Sequence, residues 1–331
     1  MADFPPPEMI QTNGIRMAVH AMGPTPAEAD KPAVVFLHGW PELAYSWRYQ
    51  LPALAEAGYP AIAPDQRGYG GTDKPAGAEN YDFAHLAGDL AGLLDARGID
   101  KAVFVGHDWG ATLLWALPFY LPERLAGLAG LNVPFFPRGP VDPLELFRNA
   151  FGDSYYICRF QQEGACEPVL ERDVERTLRM LMRRPRSDKA AADRRPITKF
   201  DGDLITLLEG DSDRWPGEEF LSDEDLAVYV RAFSRGGFTG PLHWYRNFTR
   251  NWHDIERFQP AGGPPPSIAV PTLMMTAELD AFVPPRLADG MERYFTDYER
   301  VDVKGAGHWL QQEKAGEVNA VLLDWLARHF S

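Results

Sequence analysis

The chain has 331 residues, 45% hydrophobic and 12% aromatic, enough to bury a large core in one domain or two. Its 33 basic and 47 acidic side chains leave a formal net charge of −14, a surface that repels polyanions, so neither nucleic acid nor an anionic membrane is expected as a partner. No run of about 18 apolar residues suits a spanning helix, the opening Met1-Ala2-Asp3-Phe4-Pro5-Pro6-Pro7 lacks a secretion leader, and a cytoplasmic location is the expectation.

In chain order, Ile15–His20 alternates with period two and reads as a strand. Ala33–Leu37 is a continuous apolar run, as expected of a strand buried on both faces. A helical stretch follows over Tyr45–Ala55, a strand over Tyr59–Asp65, and a helix over Phe83–Ala96. Ala102–Val105 is a strand and Ala111–Tyr120 a helix, and Ala126–Asn132 forms the next strand before Val133-Pro134.

From about Arg138 to Trp252 the pattern is helical, with no buried strand. That segment carries 18 basic and 20 acidic side chains, while the rest of the chain carries 15 and 27, so the charge excess lies outside it and it reads as a separate unit. Its basic part, Arg183–Arg195, and acidic part, Asp201–Asp225, are expected to be solvated surface. The two cysteines, Cys158 and Cys166, read as buried small hydrophobes or as a single bridge. The Ala261–Pro266 stretch returns the chain to its first architecture. Strands then follow over Pro271–Thr276 and Glu299–Val303, with helices over Arg286–Tyr294 and Ala315–His329. Alternating strands and helices imply an α/β class: a mostly parallel, doubly wound sheet covered on both faces. The expected division is a core over 1–137, a helical cap over 138–252 and a second core segment over 253–331.

The segment Gly106-His107-Asp108-Trp109-Gly110 lies between a strand and a helix, the layout of a nucleophile elbow with aspartate in the central seat. A carboxylate there would form an alkyl ester with its substrate, where serine would form an acyl ester. The alternative is an ordinary helix N-cap, which does not require the flanking glycines. His38-Gly39-Trp40-Pro41 leaves the Ala33–Leu37 strand at the same rim, so the Trp40 and Trp109 amides are the expected oxyanion-stabilising pair. His38 and Pro41 belong to the same loop, and Glu42 after it is either a water-positioning group or a surface carboxylate. His308, between Gly307 and Trp309 after the last strand, suits a general base. Asp280, past the Pro271–Thr276 strand, is expected to orient it, with Glu278 the competitor. The order nucleophile, acid, histidine is that of hydrolase elbows. His38 and His107 are expected to point into packing, and His20, His85, His243, His253 and His329 read as surface or interface residues.

Taken with Pro64-Asp65-Gln66-Arg67-Gly68-Tyr69-Gly70, these motifs resemble the soluble-type epoxide hydrolases of the α/β-hydrolase superfamily. The resemblance runs through nearly the whole chain and is weakest over about Pro185–Glu219. It implies the α/β-hydrolase fold with an inserted helical cap, no cofactor and no metal. Trp244-Tyr245-Arg246-Asn247 matches the family segment that supplies one ring-opening tyrosine, Tyr245. Tyr156-Ile157-Cys158-Arg159-Phe160-Gln161 matches the other, and the Phe-Gln pair selects Tyr156 over Tyr155. The implied activity is conversion of an epoxide and water to a vicinal diol through an ester on Asp108. The implied partner is a small apolar epoxide, and a homodimer is left open. Haloalkane dehalogenases share the aspartate elbow and its tryptophan and form the rival reading. They hold the leaving halide with an asparagine or a second tryptophan; where that asparagine often sits this chain has Trp40, and the paired tyrosines favour an epoxide. Fluoroacetate-type dehalogenases usually carry arginine where Trp109 stands. A non-enzymatic ligand receptor is disfavoured because Asp108, Asp280 and His308 are all present.

Overall fold

The computed structural model describes residues 4–186, 203–210, 215–260, 262–264 and 266–330. Six strands come first: β1 (Glu8–Thr12), β2 (Ile15–Met22), β3 (Ala33–Leu37), β4 (Ala61–Pro64), β5 (Ala102–His107) and β6 (Leu125–Leu131). Helices α1 (Gln50–Glu56), α2 (Phe83–Ala96) and α3 (Trp109–Tyr120) lie between them. A helical segment follows, with α4 (Pro143–Phe151), α5 (Tyr156–Arg159), α6 (Glu167–Arg172), α7 (Val174–Leu181), α8 (Leu204–Glu209), α9 (Asp223–Gly236), α10 (Thr239–Tyr245) and α11 (Phe248–Asp254). It also holds a two-residue ribbon, β7 (Arg183–Arg184) paired antiparallel with β8 (Glu218–Glu219). The chain closes with β9 (Thr272–Ala277), β10 (Tyr298–Val303), α12 (Leu310–Glu313) and α13 (Ala315–His329).

Eight strands form one sheet in the order β1-β2-β4-β3-β5-β6-β9-β10. Every pair from β4 through β10 is parallel, and β2 runs antiparallel to both β1 and β4. Side chains alternate across each strand, so the sheet feeds two cores. Val35, Leu37, Phe104 and Met274 pack on one face, with Leu90 of α2 and Leu113 of α3. Val34, Phe36, Val103, Val105 and Met275 pack on the other, with Leu51 of α1 and Leu322 and Trp325 of α13. Burial on both faces is why these strands read as continuous apolar runs.

The register positions the chemistry. Leu37 lies beside Gly106, His107 beside Leu131 and Ala277 beside Val303. The loops carrying Trp40, Asp108, Asn132, Asp280 and His308 therefore leave one rim, at the C-terminal ends of parallel strands.

Some sequence expectations need correction. The helix expected over Arg286–Tyr294 is two 3₁₀ turns, Pro285–Ala288 and Met291–Tyr294, broken at Gly290, whose φ of +82° has no place in a right-handed helix. The Tyr45–Ala55 helix likewise divides into a 3₁₀ turn, Ala44–Trp47, and α1. Strand β1 went unread because only Ile10 and Thr12 of its five residues are buried. Both cysteines are free, Cys166 buried and Cys158 partly so. The basic and acidic stretches meet where the ribbon pairs, with Arg184 on Glu218 at 2.8 Å and Arg179 on Glu219 at 2.6 Å; the expectations for 187–202 and 211–214 lie outside the described residues. Among the described residues no helix is long and apolar enough to cross a membrane.

Candidate active site

Asp108 joins β5 to α3 with φ +51° and ψ −119°, a backbone conformation that L-residues rarely adopt. The tight turn is held because the chain passes close by on both sides. A Cβ on Gly110 would collide with the Leu37 and His38 carbonyls, and one on Gly39 would collide with the Asp108 carboxylate itself. The glycines thus bring the β3 loop against the elbow. The Trp40 N–H donates to Asp108 Oδ1 at 2.8 Å, and Asp108 Oδ2 lies 3.7 Å from His308 Nε2.

His308 Nδ1 donates to Asp280 Oδ2 at 2.8 Å. That carboxylate is fully buried and also accepts from the Asn132 amide at 2.7 Å and from the Phe282 and Val283 N–H groups at 2.9 and 3.0 Å. Burial pushes Asp280 up, but the His308 charge and these donors outweigh it and hold it at about 2. Burial alone would lower His308; Asp280, with Asp108 and Glu42 behind it, overrides this and raises it to about 9. Glu278, the competitor, accepts instead from the Gly305 N–H. A second carboxylate, Glu313, spans the His308 loop, accepting from the Gly307 N–H at 2.8 Å and the Trp309 N–H at 2.9 Å. Neither Asn132 nor Glu313 was singled out from sequence; Asn132 had one signal, its place at the end of a buried strand.

The alternative of a surface carboxylate for Glu42 is overturned. Glu42 is fully buried, accepting from the Gly39 N–H and His107 Nδ1 on Oε2 and from Gln311 and Gln312 on Oε1. Protein donors thus occupy all four of its ordinary acceptor directions. Burial would raise its pKa, but His107 and the Gly39 N–H hold it at about 2. His107 Nε2 donates to the His308 carbonyl at 2.7 Å, so the pair ties the Trp40 turn to the His308 loop. His38 lies in the substrate-side loop but points into packing, as expected. Its imidazole accepts from the Gln66 N–H at 3.0 Å, donates to the Gly39 carbonyl at 3.0 Å and packs edge-on against Tyr69. Pro41 follows Trp40 through a cis peptide bond and is buried.

The helical segment supplies the site's roof. The Tyr156 ring faces Trp40 at 6.4 Å, Tyr245 at 6.0 Å and Phe282 at 6.4 Å. Tyr155 packs instead on Phe147 and Phe151, which supports Tyr156 as the site residue. Tyr245 lies edge-on to Trp40 at 5.7 Å and Trp109 at 5.0 Å. Burial, then a neighbouring tyrosine (Tyr155 for Tyr156, Tyr156 for Tyr245) and Asp108, push both phenols well above their ordinary range, so they remain proton donors. The arrangement sets a carboxylate nucleophile below two neutral phenols, with a histidine–carboxylate pair alongside. Among the described residues no group of three or more His, Cys, Asp or Glu side chains is placed to hold a metal ion.

The chain is similar to known proteins along most of its length. Residues 32–315 match the family described as the alpha/beta hydrolase fold. The chain is 43% identical over 327 residues to epoxide hydrolase A of Mycobacterium tuberculosis (strain ATCC 25618 / H37Rv), covering 97% of each protein. It is 37% identical over 329 residues to epoxide hydrolase 3 of Siraitia grosvenorii, covering 96% of each. The crystal structure of epoxide hydrolase A from Mycobacterium thermoresistibile is similar with a TM-score of 0.83, 41% identity and 99% of each chain covered.

Proposed function

This chain belongs to the epoxide hydrolases of the α/β-hydrolase fold, and from that premise we propose that it opens a small apolar epoxide through a covalent ester on Asp108. The observation that carries the reading is the division of labour on one carboxylate: Oδ1 is held by the Trp40 N–H while Oδ2 faces His308 beneath the phenols.

In the first half-reaction Asp108 Oδ2 attacks one epoxide carbon and the carbon–oxygen bond breaks. Tyr156 and Tyr245 donate to the oxygen as it becomes an alkoxide; positioned acids of this kind contribute roughly 10²–10⁴-fold. One phenol gives its proton to that oxygen, leaving a hydroxyalkyl ester on Asp108 and a phenolate. Esterification removes the Asp108 charge, one of the causes that raise His308, so the imidazole then gives up its proton more readily and can serve as the base.

In the second half-reaction His308, held by Asp280, takes a proton from water as the water attacks the Asp108 carbonyl carbon. The Trp40 and Trp109 amides stabilise the oxyanion on Oδ1. Collapse expels the diol, whose leaving oxygen takes the proton from His308, and the proton left on the Asp108 carboxyl returns to the phenolate. Glu42 and His107 hold the turn and the base loop in register. A carbon–halogen substrate is disfavoured because two phenols, Tyr156 and Tyr245, stand over Asp108 where an alkoxide would develop.

Single-turnover hydrolysis in heavy-oxygen water tests the route. The first-turnover diol is expected to carry no label and Asp108 to acquire it. Label in the first diol would rule out the ester.

A further inference from the structure

The two tyrosines that roof the site are 89 residues apart in sequence and lie at the ends of separate short helices. A helix end leaves carbonyls without intrahelical partners. Here each helix end is satisfied by a side chain from the other segment. Gln161, just past α5, donates from Nε2 to the Tyr245 carbonyl at the end of α10, at 3.0 Å. The same Nε2 donates to the Ile157 carbonyl, next to Tyr156, at 2.8 Å. Both partners are carbonyls, so the amide can take only one orientation, and each of its two hydrogens has an acceptor. In return Arg246, directly after Tyr245, donates from Nε to the Phe160 carbonyl that follows α5, at 2.9 Å. Arg246 is itself held by Glu167 at 2.6 Å, with both side chains nearly buried.

We infer that Gln161 and Arg246 form a reciprocal staple that sets the spacing of the Tyr156 and Tyr245 hydroxyls over Asp108, and that Gln161 is a positioning residue for ring opening. The inference rests on the proposed role of the two phenols. Donors to a developing alkoxide act only when placed to within a fraction of an ångström, and a displacement near 1 Å can cost on the order of 10² in rate. Water attack on the Asp108 ester uses the Trp40 amide and His308, which lie on the core loops and are hydrogen-bonded to Asp108 and Asp280 and not to Gln161 or Arg246. The staple therefore acts on one half-reaction and leaves the other alone.

The test is rapid-quench kinetics of Gln161→Leu, which keeps the side chain's bulk and removes both donors, beside Tyr245→Phe, the double variant and the parent. In Gln161→Leu, ester formation is expected to slow by about 10-fold, with ester hydrolysis unchanged and the regiochemistry of opening shifted. The double variant should be slower in ester formation than Tyr245→Phe by less than the loss seen in Gln161→Leu alone, because one of the two hydroxyls that the staple places is already gone. Arg246→Lys, which keeps the charge on Glu167 and loses the bond to Phe160, should show the same selective slowing if Gln161→Leu fails to fold. Unchanged ester formation in Gln161→Leu while Tyr245→Phe is slow would overturn the staple and leave the tyrosine role standing. Equal slowing of both half-reactions, or additive losses in the double variant, would also overturn it. Normal ester formation in Tyr245→Phe would remove the tyrosine role and the staple with it.

Discussion

The Trp40 amide and the Asp108 carboxylate, 68 residues apart in the chain, meet at 2.8 Å. In the proposed mechanism that contact orients the nucleophile, leaving one oxygen to attack and the other in the oxyanion position. It exists because Gly39 carries no side chain where the Asp108 carboxylate stands. Gly39→Ala should therefore push the turn and elbow apart. Overpacking of this kind costs roughly 1–3 kcal/mol, and ester formation should fall by more than 10²-fold, on the scale of a lost oxyanion donor or misplaced nucleophile. Thermal denaturation with single-turnover kinetics checks both. A fully active Gly39→Ala enzyme would contradict the arrangement.

Removing the base should separate the half-reactions. His308→Gln retains Asp108 and both phenols, so it should still form the ester and then stall. Intact-protein mass spectrometry is expected to find one substrate mass added to Asp108, with hydrolysis slowed by roughly 10²–10⁴-fold. Asp108→Asn should form no adduct.

The two adjacent tyrosines differ sharply in surroundings and should differ in effect. Tyr156 faces Trp40 and Tyr245, while Tyr155 is packed on Phe151. Tyr156→Phe and Tyr245→Phe should each slow ring opening by roughly 10²-fold, and Tyr155→Phe by far less. Initial rates on a terminal epoxide with the three variants decide the assignment. A larger effect at Tyr155 than at Tyr156 would reverse it.

The His308–Asp280 pair sets a pH window for stability. The His308 pKa rises from 6.5 to about 9, so its contribution is complete below about 6.5 and is lost as pH climbs through 9. The Asp280 pKa falls from 3.8 to about 2, so its contribution is complete above about 3.8 and is lost as pH drops through 2. Between roughly pH 4 and 6.5 both act in full. The melting temperature of the parent should decline more steeply than that of His308→Gln between pH 6.5 and 9. Parallel curves would show that His308 carries no raised pKa.

Much of the site was legible in the chain because its groups sit at strand ends, where the pattern changes abruptly. Ala33–Leu37 and Ala102–Val105 are apolar runs broken by glycine and a polar residue, which marked the Trp40 turn and Asp108. Glu42 is harder, because it sits close to Trp40 and nothing local tells whether a polar side chain turns toward a cavity or into the turn behind it. Asn132 gives a weaker signal still, since its partners Asp280 and Gly307 lie on other loops, and Glu313, whose partners Gly307 and Trp309 are close in the chain, carries no motif.

The sequence by itself determined the α/β alternation, the elbow and the order Asp108, Asp280, His308, because these follow from local period and motif, while the two tyrosine segments and the choice of Tyr156 over Tyr155 came from the family resemblance. Only the tertiary structure decided that Glu42 is buried rather than exposed, that His107 ties it to the His308 loop, that Asn132 braces Asp280, and that Gln161 and Arg246 cap each other's helices. The physical reason is common to all four. Direction, burial and hydrogen-bond satisfaction are settled between segments distant in the chain, when parallel register brings strand ends to one rim and the helical segment closes over them.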